Sequence, residues 1–128
     1  MHTRGRRVKP VNSIADLEGK LEQLLREPCN FQLLNGIGVL LYQMKDWDND
    51  GMYFHRAYEL NPEDRDVLYN YASLLHLQSQ WDKAIPVYEA YLELEPGDRA
   101  VMEKAGDACY QLGEYEMAAK MYEQLRKE

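Results

Sequence analysis

The acidic stretch Asp46-Trp47-Asp48-Asn49-Asp50-Gly51 is the densest set of potential metal ligands in this 128-residue chain. Three carboxylates at alternate positions, closed by glycine, match the first half of a calcium loop, where alternating oxygens converge on a hard cation. Such a loop needs a bidentate Glu, and the position that should carry it is Ala57. The stretch is therefore read as a long turn in which Asp48 or Asp50 caps a late helix starting near Met52, and no metal site is assigned. His2, His55 and His76 have no ligand spacing. Ser13, Ser73 and Ser79 lie outside any G-x-S-x-G elbow. Gly36-Ile37-Gly38 lacks the third glycine of a dinucleotide loop. Cys109 shares a helical stripe with Ala105 and Ala108, so it reads as buried packing and not as a nucleophile. No catalytic residue and no cofactor is expected, and the chain reads as non-enzymatic.

Composition narrows the remaining classes. Hydrophobic residues make up 45% and charged residues 29%, which fits one folded domain and argues against wholesale disorder. No apolar run reaches the ~18 residues that span a bilayer, so no transmembrane segment is expected. Two cysteines, Cys29 and Cys109, form neither a metal spacing nor a disulfide framework, which suits a reducing, cytoplasmic setting. The net charge of −7 is uneven: Arg4, Arg6, Arg7 and Lys9 give the first ten residues +4, and the rest of the chain carries −11. An acidic body repels phosphate backbones, so nucleic acid is not an expected partner. Residues 1–12 read as a basic, disordered tail.

The elements that must carry any site are legible because the chain repeats itself. Pro28, Pro62 and Pro96 stand 34 residues apart. The same register aligns Leu34, Leu68 and Met102; Gly38, Ala72 and Gly106; Trp47, Trp81 and Tyr115; and Phe54, Tyr88 and Tyr122. Within each unit, apolar residues recur at three- and four-residue spacing in two runs, which predicts two helices. Antiparallel pairs are expected at 31–44/50–60, 65–78/82–94 and 99–112/115–126. Gly38, Ala72 and Gly106 would let the two helices of a unit approach, with the aromatic residues filling the wider gap beyond. Ahead of the repeats, Ile14, Leu17, Leu21, Leu24 and Leu25 share one helical face, capped by Asn12 or Ser13. That helix, residues 13–27, is expected to cover the apolar flank of the first unit, giving seven helices in all. Pro86 falls inside a predicted helix and is tolerated if that helix starts near Trp81.

The pattern of large, small, aromatic, Ala, aromatic and Pro positions at a 34-residue period resembles the tetratricopeptide repeat family. Met102, Gly106, Gly113-Glu114-Tyr115, Ala118 and Tyr122 carry it best, and the resemblance covers residues 29–128 as units 29–62, 63–96 and 97–128. It implies an all-α, right-handed superhelical solenoid whose first helices line a concave groove that binds a peptide or protein segment. On that implication the groove residues are Asn35 and Tyr42 in the first unit, Asp66, Tyr69, Asn70, Ser73 and His76 in the second, and Glu103, Lys104, Asp107 and Tyr110 in the third. Tyr42, His76 and Tyr110 are equivalent and should form a ladder. The family's two-carboxylate clamp is not expected, because Asn35 and Val39 stand where it needs Lys and Asn and Ala100 replaces one of its two bases; only Asn70 and Lys104 match. Asp66, Glu103 and Asp107 favour a basic ligand. The chain is thus expected to be a protein-interaction scaffold. The alternatives are a self-associating structural module and an accessory domain of a larger protein. With no helix after residue 126 in this sequence, Ala119, Met121 and Leu125 are expected to lack a cover and to favour a homodimer through the C-terminal unit.

Overall fold

A computed structural model describes residues 13–127. They form seven α-helices and, among the described residues, no strand: α1 Ser13–Arg26, α2 Phe31–Gln43, α3 Trp47–Leu60, α4 Arg65–Leu77, α5 Trp81–Leu94, α6 Arg99–Leu112 and α7 Tyr115–Arg126. The helices divide into two compact units, one ending at Leu60 and the other beginning at Asn61. The basic residues Arg4, Arg6, Arg7 and Lys9 and the cap Asn12 lie outside the described residues.

Helix starts and stops recur in the 34-residue register. Asn30, Asp64 and Asp98 are N-caps, each accepting a side-chain hydrogen bond from the N–H three residues on, at Leu33, Val67 and Val101. Such caps satisfy donors that the first helical turn leaves unpaired. The turns within the pairs repeat as well. Lys45, Ser79 and Gly113 have φ of 63°, 58° and 93°. Their N–H groups donate to the carbonyls of Tyr42, His76 and Tyr110, and the next N–H in each case reaches Leu41, Leu75 or Cys109. This is the paired closure of a helix by a left-handed residue.

In the first unit Leu33, Leu34, Ile37 and Leu41 of α2 and Phe54 and Ala57 of α3 are buried. The Phe54 ring lies directly on Gly38, where a Cβ would meet ring carbons at 2.6 Å. Gly106 stands in the same relation to Tyr122. The small residue thus accommodates the aromatic ring itself, whereas the sequence suggested that the rings fill a gap further out. Helix α1 packs on this unit through Leu17 and Leu24, which meet the Leu33–Ile37–Leu41 cluster. The rest of its stripe does less than expected: Ile14 and Leu25 are exposed at 62% and 85%.

Asp50 departs most from expectation. Helix α3 begins at Trp47, not near Met52, so Asp50 is neither in a turn nor a cap. It sits inside the helix with 0% exposure, at the position that Ala84 and Ala118 occupy in the later pairs. Among the described residues neither carboxylate oxygen finds a side-chain partner, and both are buried. Burial raises its pKa above the ordinary carboxylate value, the neighbouring Asp46 and Asp48 adding to the shift and the Gly51 N–H opposing it. Hydrophobic burial around it carries the segment into the helix despite this cost.

In the second unit α5 starts at Trp81, so Pro86 is its sixth residue. The Ala84 N–H still bonds the Gln80 carbonyl; what Pro86 forfeits is a donor to Asp82. Arg65 Nη1 meets Glu95 Oε2 at 3.0 Å and links the two ends of the α4–α5 pair.

Candidate functional site

Helix α4 buries Val67, Leu68, Ala72, Leu74 and Leu75. The helical period then places Asp66, Tyr69, Asn70, Ser73 and His76 on other faces, from half-buried to exposed. Helix α6 buries Val101, Ala105, Gly106, Ala108 and Cys109 and leaves Glu103, Lys104, Asp107 and Tyr110 exposed. Between them stands Tyr88 of α5, 1% exposed. Its ionisation responds first to burial and then to Tyr69 and Asp107, so both groups lie within electrostatic reach of this buried ring. His76 responds likewise to Lys104 and Asp107.

The hydroxyl of Tyr88 lies 2.8 Å from Nδ1 of His76. Burial depresses the His76 pKa below 6.5 and Lys104 depresses it further, while Asp107 opposes them. Asp107 itself accepts the Tyr122 hydroxyl at 2.5 Å, which raises the Tyr122 pKa to about 12. Tyr69 is 40% exposed and tilts against Tyr91, with centroids 5.9 Å apart. Asp66 lies 3.8 Å from Arg65. The Ser73 hydroxyl oxygen is buried and finds no partner among the described residues.

Tyr42, His76 and Tyr110 share one local contact. Each ring packs against the aromatic five residues on: Tyr42 on Trp47, His76 on Trp81 and Tyr110 on Tyr115, with centroids 5.1, 5.0 and 5.3 Å apart. Each pair thus spans one interhelical turn, an arrangement that edge-to-face contact favours. The partner aromatics stand in the repeat register, but nothing in the linear pattern pairs them across the turn. Tyr42 and Tyr110 remain 43% and 57% exposed. Asn35 and Tyr42 belong to the first compact unit, and the other candidate residues to the second.

Among the described residues, no three His, Cys, Asp or Glu side chains could hold a metal ion. Cys109 is buried, and burial raises its pKa, with Glu89 and Glu114 adding to the shift. No helix of the described residues is long and apolar enough to cross a membrane.

The family model for tetratricopeptide repeats matches residues 52–99 and again 78–128, together more than half of the chain. The chain belongs to the tetratricopeptide repeat family. Its all-α fold is that of the helical solenoids among tetratricopeptide repeat proteins of known structure. MamA from Desulfovibrio magneticus RS-1, in a form running from residue 41 to the end, is 20% identical with a TM-score of 0.78 over 88% of this chain and 64% of its own. MamA of AMB-1 is 21% identical, with a TM-score of 0.77 over 87% and 61%. The chain therefore spans less than two thirds of these relatives' length, and at such identities the likeness is one of fold. No curated protein matches the sequence. Tetratricopeptide repeat proteins serve as protein-interaction scaffolds, and this chain shares that class.

Proposed function

We propose that the chain is a non-enzymatic adaptor that holds an extended peptide on the α4–α6 face of its second unit. One observation carries the reading: Tyr69, Lys104, Asp107 and Tyr110 are exposed on α4 and α6, and Tyr69 and Asp107 lie within electrostatic reach of the buried Tyr88, as Lys104 and Asp107 do of the half-buried His76. Exposed tyrosines offer contact area at little entropic cost, and their faces attract Arg and Lys. Asp66, Glu103 and Asp107 outnumber Lys104, so the preferred peptide carries basic side chains. We read residues 29–128 as three repeats, 29–62, 63–96 and 97–128, after the α1 helix. The recurrence of the caps Asn30, Asp64 and Asp98 and of the turns at Lys45, Ser79 and Gly113 supports this division. A cytoplasmic setting is supported by the free, exposed thiol of Cys29.

A random decapeptide array decides the ligand. The expected result is capture of Arg- and Lys-bearing sequences, with loss in a Tyr69→Ala/Tyr110→Ala double variant of about 2 kcal/mol or more if either ring is a hot spot. Capture of acidic C-terminal peptides, or full retention by the double variant, overturns the proposal.

A second reading is dimerisation through α7, favoured by the exposure of Tyr115 at 62% and Met117 at 36% and by the exposed Ala119. Of the residues expected to lack a cover, Ala119 is exposed and Met121 and Leu125 are half-buried. Light scattering that finds a monomer at high concentration excludes it.

A further inference from the structure

The Tyr88 side chain has one proton to place. It is 1% exposed, and burial drives its pKa well above the ordinary tyrosine value, so the hydroxyl stays protonated. A buried donor without an acceptor costs about 1–3 kcal/mol. The acceptor on hand is Nδ1 of His76, at 2.8 Å. If that nitrogen carried the imidazole proton instead, the Tyr88 hydroxyl would have to accept, and its own proton would be left in an apolar interior. The geometry therefore favours His76 with its proton on Nε2.

Two further contacts fix the ring. Trp81 stands edge-on to it at 5.0 Å and 86°, and Tyr88 at 5.8 Å and 74°. Nε2 has no partner within the described residues and is not among their buried unpaired atoms, so it reaches solvent. Trp81 and Tyr88 of α5 touch the ring, and Lys104 and Asp107 of α6 are the charged groups within electrostatic reach of it.

The arrangement belongs to the middle pair alone. Tyr42 and Tyr110 replace His76 in the other pairs. At the Tyr88 position Phe54 has no hydroxyl, and Tyr122 gives its own to Asp107. Repetition explains the scaffold, but it does not explain why this one position departs from tyrosine and is tied from beneath by a buried hydroxyl.

We propose that His76 is a specificity-determining donor, fixed by the positioning residue Tyr88 as the Nε2–H tautomer, which offers one N–H to a backbone carbonyl of the bound peptide and no acceptor. The ligand half of this inference rests on the peptide-binding reading above; the tautomer half does not.

Long-range proton–nitrogen NMR of the full chain reads the tautomer directly, with His76→Gln identifying the His76 signals against those of His2 and His55. The expected wild-type spectrum shows an unprotonated Nδ1 and a protonated Nε2 at pH 7. Tyr88→Phe should give a mixture of tautomers and a higher midpoint on titration from pH 5 to 8, since a hydrogen bond to the neutral ring disfavours its charged form. Phe54 already holds the equivalent place, so the fold accommodates that variant. A protonated Nδ1 in the wild type, or an unchanged tautomer in Tyr88→Phe, overturns the lock.

The decapeptide array tests the donor. His76→Gln, whose amide can still donate, should retain capture, and His76→Glu, which only accepts, should lose about tenfold or more. Equal capture by His76→Glu overturns the donor role. An array on which the wild type captures nothing overturns the ligand half together with the peptide-binding reading, and the NMR result still decides the lock.

Discussion

The Tyr91 hydroxyl donates to Oδ2 of Asp98 at 2.7 Å, while Oδ1 of the same carboxylate accepts the Val101 N–H at 3.1 Å. One side chain thus caps α6 and anchors α5 to its start, and the bond raises the Tyr91 pKa to about 12. Asp64 caps α4 through Val67 at 3.0 Å without such a tyrosine, since Ala57 holds the place that aligns with Tyr91. Asp64→Ala should therefore cost about 1 kcal/mol, and Asp98→Ala about 1 kcal/mol more. Tyr91→Phe should cost roughly the difference. Urea unfolding of the three variants checks the order.

The buried Asp50 lowers the stability of the first unit. Asp50→Ala, which installs the residue found at 84 and 118, should stabilise by about 1–3 kcal/mol at pH 7. The sign of the pH dependence follows from the raised folded-state pKa. At neutral pH the unfolded chain has released this proton, and the folded chain must either keep it or bury the charge, so the penalty is present in full. Below the unfolded value of 3.8 both states hold the proton and the ionisation part of the penalty is gone, leaving the cost of a neutral buried carboxyl. The gap between wild type and Asp50→Ala should narrow as pH falls towards that value. A gap that is constant, or that widens on acidification, contradicts this reading.

Left-handed backbone at Lys45 and Ser79 is strained for residues with a Cβ, and Gly113 shows what relieves it. Lys45→Gly and Ser79→Gly should each stabilise by about 0.5–1 kcal/mol, and Gly113→Ala should destabilise by about 1 kcal/mol. The Cβ at 113 meets nothing within 4 Å, so the effect isolates backbone conformation. Thermal melts resolve shifts of this size.

Glycines separate by what lies above them. At Gly38 a Cβ would meet the Phe54 ring at 2.6 Å, and at Gly106 the Tyr122 ring at 2.9 Å; at Gly19, inside α1, it would meet nothing within 4 Å. Gly38→Ala should cost about 2–3 kcal/mol through overpacking. Gly106→Ala should cost less, because Tyr122 is half-buried and freer to shift than the buried Phe54. Gly19→Ala should stabilise by about 0.5–1 kcal/mol. Calorimetry of the three variants reads the opposite signs directly.

The 34-residue recurrence of prolines, small residues and aromatics was enough to establish all-α helix pairs and their order, because these features act within a few residues of where they stand. The caps Asn30, Asp64 and Asp98 are legible too, each two residues after a proline, where a short polar side chain can accept from the first turn of the helix that follows. Asp50 departs from its local preference for a physical reason: a carboxylate and a glycine side by side favour a turn, and burial of Phe54 and Ala57 in the pair overrides that preference. That the candidate residues stand off the buried stripes of α2, α4 and α6 was legible, since the face a side chain occupies follows from helical period. The internal chemistry of the site was not. Which hydroxyl reaches His76, which reaches Asp107, and which aromatic covers each ladder position depend on side chains brought together across turns and between helices. Proton placement is fixed by those contacts and by burial, and a linear sequence specifies neither until the helices have packed.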